Sequence, residues 1–206
     1  MYLGRCNPCG RICCHPCLKS IRKDITWDIL SRISDFTGVY KVSDYSGKIS
    51  DDSSDNASLA MLVIYGSDAV PNQTICIGNV LYRMSSNTQS IPFADLKVAS
   101  SAMGKIGYYA LEGDIGGSGT EQVQVEAMPG AKSILLSDII NPVGNPMNRT
   151  INTVIPSLID TVGVDIDCFG LSDALSPNDE AISVTYSAGT DVWWHVLTVI
   201  SVETAP

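Results

Sequence analysis

The feature that most constrains this chain is a two-residue hydrophobic rhythm that recurs in one segment after another. "DITWDIL" and "FTGVYKVS" both alternate apolar with polar or small residues. Successive side chains of an extended chain point to opposite faces, so this rhythm predicts strands with one buried face. "EQVQVEA" (121–127), "AISVTYS" (181–187) and the long "VWWHVLTVISV" (192–202) also read as strands. "LAMLVIYG" (59–66) predicts a buried strand, followed by a turn at "SDAVPNQ" and a strand in "TICIGNVLYRM". "KIGYYALEG", "KSILLS" and part of "SLIDTVGVDIDCFGLS" add further strands, with a helical turn near Asp173 to Leu175. Ser46 to Ser58, the Ser/Asn/Gln/Pro run after Met84 and "NPVGNPMNRT" read as loops. No convincing amphipathic helix is present. About nine or ten short strands predict an all-β chain, a single jelly-roll-like β-sandwich over residues 24–206. Val192 to Val202 is apolar on both faces near its start, which places it inside a sheet.

Residues 1–23 follow a different rule. They contain Pro8 and Pro16, have no hydrophobic period, and predict an extended N-terminal arm. Five of the seven cysteines fall within it: Cys6, Cys9, Cys13, Cys14 and Cys17. At 45% hydrophobic over 206 residues the chain can bury a full core without covalent staples, so folding does not demand this cluster. The arm also has five Lys/Arg and no acid. The remaining 8 basic residues face all 22 acidic ones, so the body carries −14. A basic arm is suited to an acidic body, its own or another copy's. Nucleic acid is a poor partner for such a body, because phosphate contacts need dense Lys/Arg. No apolar run is long enough to cross a membrane as a helix, and no apolar core of a signal peptide is legible.

The arm cysteines admit several chemistries. Cys6, Cys9, Cys14 and Cys17 give C-x2-C-x4-C-x2-C, a set of four thiolates for tetrahedral zinc, with His15 able to replace one. Four residues between the two pairs leave little room to fold back. The spacings match neither common ferredoxin pattern, and the βαβ unit of a thioredoxin-like site is missing. Disulfides remain. Adjacent Cys13 and Cys14 bond each other only with strain, and seven is an odd number, so at least one sulfur stays reduced or finds a partner outside the chain. The arm cysteines are therefore expected to form intermolecular disulfides, with one another or with Cys76 or Cys168 in the body. By themselves, Cys76 and Cys168 read as buried thiols that act as small hydrophobes.

Other candidates read as structural. His195 is expected to be a hydrogen-bonded strand histidine, and Trp193 and Trp194 to point to opposite faces. Asp165 and Asp167 share a strand face, which suits calcium or acid–base work but is expected to be a solvated polar face. Asp51, Asp52 and Asp55 lack the spacing of an EF-hand. "GDIGGSG" lacks the Lys and following helix of a phosphate loop and reads as a tight loop. The sequons at Asn56, Asn72 and Asn148 carry little weight without a secretion signal. No nucleophile elbow is present, so an enzyme is not expected and no cofactor is implied.

Taken in order, "SLAMLVIYGSDAVPNQTICIGNVLYRM", "GKIGYYALEGDIGGSGTEQVQV", "NPMNRTIN", "GVDIDCFGLSDALSPNDEAISVTYSAGTDVWW" and "LTVISV" resemble a β-sandwich domain family of unknown function. That family occurs in surface proteins of bacteria and methanogenic archaea, and the resemblance covers about residues 59–202. "VEAMPG" departs from the family pattern, and the cysteine arm lies outside it. A Cys-rich arm on a small β-sandwich also resembles, in plan, the pilins of bacterial spore appendages. Both resemblances imply an exported, non-enzymatic protein. The expectation is a self-assembling subunit of an extracellular fibre, appendage or surface layer, locked by arm disulfides. Two alternatives stand beside it: a surface module that binds glycan or protein, and a zinc-clipped virion protein.

Overall fold

The computed structural model describes residues 68–204 except Ser118, the backbone of 12–14, and positions 58, 60, 62 and 64. Among the described residues there are eleven strands, in chain order β1 (Ile12–Cys14), β2 (Gln73–Ser85), β3 (Thr88–Phe93), β4 (Gly104–Leu111), β5 (Gln122–Met128), β6 (Lys132–Leu135), β7 (Thr150–Ile151), β8 (Leu158–Ile159), β9 (Val164–Gly170), β10 (Ala181–Ser187) and β11 (Val192–Glu203). They form a seven-stranded sheet in the order β1-β2-β11-β4-β9-β7-β8 and a four-stranded sheet in the order β3-β10-β5-β6. The two pack face to face as an all-β sandwich.

Eight of the strands nest like one long hairpin rolled up. The pairs β2 with β11, β3 with β10, β4 with β9 and β5 with β6 are all antiparallel, and alternate pairs go to alternate sheets. This is the jelly roll expected from the sequence.

The alternation explains the sorting of side chains. In β5, Val123, Val125 and Ala127 are buried while Gln122, Gln124 and Glu126 face solvent. In β10, Ile182, Val184 and Tyr186 point inward. β11 lies between β2 and β4, as its two-sided apolar start requires. An irregularity between His195 and Leu197 breaks its register with both neighbours. Val196 is the extra residue against β4, and this shift lets Trp193 and His195 before it, and Thr198, Ile200 and Val202 after it, all stay buried. Tyr186 anchors the aromatic centre, edge-on to Tyr108 at 6.2 Å and to Trp193 at 6.1 Å.

Two expectations fail. The polar run after Met84 contains β3, which ends the four-stranded sheet and carries Pro92. Proline breaks the sequence signal for a strand, yet on an edge its missing N–H costs no ladder bond. The strand expected at 59–66 is absent at its described positions: 60, 62 and 64 lie outside strands, and Leu62 is 44% exposed. The strands expected between Asp24 and Ser43 lie outside the described residues.

Trp193 is fully buried, whereas its neighbour Trp194, on the opposite face, is only half-buried. Trp193→Ala is expected to destabilise the fold by about 3–5 kcal/mol and Trp194→Ala by about 1 kcal/mol or less. Urea unfolding midpoints of the two variants check this directly.

Candidate functional sites: a strand edge and a buried carboxylate cluster

β2 is long, and β11 pairs with one side of it over most of its length. On its other side lies β1, parallel, with Ile12 opposite Ile75, Cys13 opposite Cys76 and Cys14 opposite Ile77. The arm therefore supplies a strand to the sheet margin. Neighbouring strands run about 4.8 Å apart, and a disulfide spans Cα atoms about 4.4–6.8 Å apart. The register thus brings the backbones of Cys13 and Cys76 within disulfide reach. Cys76 is fully buried on the inner face of β2, as its sequence context implies.

Cys168 behaves differently from expectation: it is exposed. It faces outward from β9 opposite Gly107 of β4, and a glycine there has no side chain to cover the thiol. β9 sits between β4 and β7, so Cys168 is not at a sheet edge. Burial of its surroundings and the nearby Asp167 hold the thiol above its ordinary pKa, against the pull of Lys105. That makes it a sluggish nucleophile. Asn152 fastens the backbone here, its amide donating to the Cys168 carbonyl at 3.1 Å while the Cys168 N–H donates back at 2.7 Å. The zinc set does not come into view, since Cys6, Cys9 and Cys17 lie outside the described residues.

Asp165 and Asp167 are the main correction. Neither is solvated: both are completely buried on the inner face of β9, beside Phe169. Their Oδ1 atoms accept backbone N–H bonds from Thr150 (3.1 Å) and Asn152 (3.0 Å), on the strand and turn that run alongside. The carboxylates thus fasten β7 and the residue after it to β9 through side-chain-to-backbone hydrogen bonds. Around them, Thr150 Oγ1 donates to Asn148, and Tyr108 donates its hydroxyl to the Pro146 carbonyl at 3.1 Å. Asp138 closes the far side, accepting from Ile140, Asn141 and Asn152. Those donors outweigh its burial and lower its pKa.

A third buried acid, Glu121, was not singled out in the sequence, where it opens an alternating strand like any outward polar residue. It is also fully buried, and its Oε2 accepts the Met147 N–H at 3.4 Å. Burial, with Asp191 beside it, raises Glu121 to about 9. Burial raises Asp165 and Asp167 to about 7 each, against the backbone donors that pull them down. The histidine is as expected: His195 is buried, bonded through Nε2 to Thr198 at 2.9 Å, and held down to about 3 by burial.

The last missed feature is an apolar margin. Leu158 and Ile159 form β8 at the end of the seven-stranded sheet, and Ile155, Ile159 and Val162 are strongly exposed. No family model matches the chain, and no curated protein matches it. Among the described residues no helix is long and apolar enough to cross a membrane.

These shifts set the pH dependence. A carboxyl with a raised folded pKa binds more protons folded than unfolded, so its contribution is complete below the unfolded value and is lost as pH rises through the folded one. His195 works the other way: its contribution is present above about 6.5 and is lost as pH falls toward 3. In chelator-containing buffer the melting temperature is therefore expected to fall as pH rises from about 5 to 9. Glu121→Gln should flatten the limb between pH 7 and 9. Calorimetric scans across that range check both.

Proposed function

We propose that this protein is a non-enzymatic structural subunit that assembles with copies of itself through its N-terminal arm. The polymer would be an extracellular fibre, appendage or surface layer, with arm disulfides locking each contact. One observation carries the reading: an arm strand lies along β2 with Cys13 in register with Cys76. β1 lies at the margin of the sheet and more than fifty residues of sequence separate it from β2, and a marginal strand can be exchanged between identical chains. Strand addition to an open edge is a general mode of protein association, with main-chain hydrogen bonds supplying the affinity.

Further observations agree with it. Among the described residues β1 pairs with Ile75 to Ile77 on that side of β2. The opposite margin of the same sheet is β8, with its exposed Leu158 and Ile159. Exposed apolar edges of this kind are self-association sites unless covered. Using the two margins in succession joins unlike surfaces, and such a contact does not close on itself, which gives an open filament. The basic arm and acidic body favour the encounter electrostatically. The likeness to surface-protein sandwiches and to spore-appendage pilins points to the same class.

Electrophoresis of native material boiled in detergent tests this. The proposal predicts a ladder or unentered polymer without reductant, collapsing with reductant to a band at 22.0 kDa. Cys13→Ser, which leaves the folded body untouched, should shorten or abolish the ladder, and Cys168→Ser should leave it in place. A monomer in both lanes would overturn the covalent assembly.

A further inference from the structure

Between β6 and β7 the chain buries a hydroxyl against a carboxamide. Thr150, the first residue of β7, is 4% exposed, and Asn141 is fully buried. Thr150 Oγ1 lies 2.5 Å from Asn141 Oδ1 and 2.8 Å from Asn148 Oδ1, with its hydroxyl proton directed at these oxygens. A carbonyl bond is about 1.2 Å long, so the carboxamide carbon of Asn141 is within about 4 Å of the hydroxyl oxygen. That is close to the separation of about 3–3.5 Å at which two groups are poised to react. Turning the Asn141 amide about its last side-chain bond presents the face of that carbon to the hydroxyl.

Both groups are held in place by their backbones. Asp138 Oδ1 accepts the Asn141 N–H at 2.8 Å, and the Asp138 N–H donates to the Asn141 carbonyl at 2.9 Å. Asp165 accepts the Thr150 N–H at 3.1 Å. The Asn141 side chain also lies beside Asp167. Asp167 Oδ2 is buried without a hydrogen-bond partner, so it is free to take or give a proton. With its pKa raised to about 7, this carboxyl is present in both protonation states near neutrality, as a general acid–base group requires. Asn148 is the poorer partner, since its oxygen is farther from the hydroxyl and its amide is committed to the Ile140 carbonyl. A nucleophile, a carbonyl carbon and a proton carrier thus share one buried place, from which competing water is excluded.

We propose that Thr150 and Asn141 join in an intramolecular ester, a self-catalysed cross-link that closes the 141–150 loop onto β7. The Thr150 oxygen bonds to Asn141 Cγ, and the Cγ–Nδ2 bond breaks. The hydroxyl proton passes by way of Asp167 to the departing nitrogen, which leaves as ammonia. Alcohol plus amide gives ester plus ammonia, so the step balances without a further reactant. Escape of ammonia into the solvent draws the exchange forward. The bond lies within one chain, so it stands independently of the arm disulfides and of the assembly proposed for them.

Trypsin supplies the test, because it cuts after Lys132 and Arg149 and so places Asn141 and Thr150 on different peptides, 133–149 and 150–206. The folded full chain is reduced, denatured, digested at neutral pH and analysed by mass spectrometry. The two peptides are expected to travel as one species, lighter than their sum by about 17 Da, the mass of one ammonia. Hydroxylamine, which cleaves esters, should separate them. Thr150→Ser keeps a hydroxyl and should keep the joined species, whereas Thr150→Val and Asn141→Ala should lose it. The unmodified chain decides the matter if a variant fails to fold. Two separate peptides at their sequence masses, or a loss of ammonia confined to one peptide, would overturn the proposal. A joined species that persists in Thr150→Val would overturn it as well.

Discussion

The fold turns on β11. It pairs over a long span with both the first long strand, β2, and the middle strand, β4, so it closes the roll. Its inner face also supplies much of the centre. Trp193 meets Tyr186 edge-on, His195 lies 4.0 Å from the same ring between centroids, and Thr198 bonds both Tyr186 (2.7 Å) and His195 (2.9 Å). A polar triad of this kind survives in a core because each hydroxyl has a partner. The irregularity at Val196 makes it compatible with the apolar run that follows, by resetting which residues face inward.

Away from that centre, one end of the sandwich is held by a different force. Apolar residues fill the space between β5, β10 and β11, but beside β9 the interior is polar. There Asp165 and Asp167 lie against β7 and the residue that follows it. The gain is order in a long irregular segment, since the carboxylates accept the N–H groups of Thr150 and Asn152. The cost is buried negative charge, which the raised pKa values express.

Much of this was legible from the chain itself, and the exceptions have physical causes. β5 and β10 could be read almost to the residue, because each has one buried face and an unbroken period of two, and β11 was legible from its long apolar run despite the break at Val196. β3 was hidden by Pro92, a strand breaker that an edge position tolerates. Asp165 and Asp167 have the alternation of a solvated face, and only the loop 15 residues upstream turns that face into an interior. Glu121 looks like Gln122, Gln124 and Glu126 in type, yet it precedes β5 and points the other way. The exposure of Cys168 depends on Gly107, some sixty residues earlier, which no local pattern announces. The arm was legible as an arm, but its register against β2 was not, since three residues carry no period.

If the protein assembles through its arm as proposed, Cys13 of one chain is bonded to Cys76 of another. Chains grown separately on light and heavy nitrogen should be mixed reduced, allowed to assemble under oxidation, and digested without reduction for mass spectrometry. The account predicts cross-linked Cys13–Cys76 peptides of mixed isotope, carrying one light and one heavy partner. Cross-links that are always light with light and heavy with heavy would place the bond within a single chain. Either that result or an absence of Cys13–Cys76 peptides would contradict assembly through the arm.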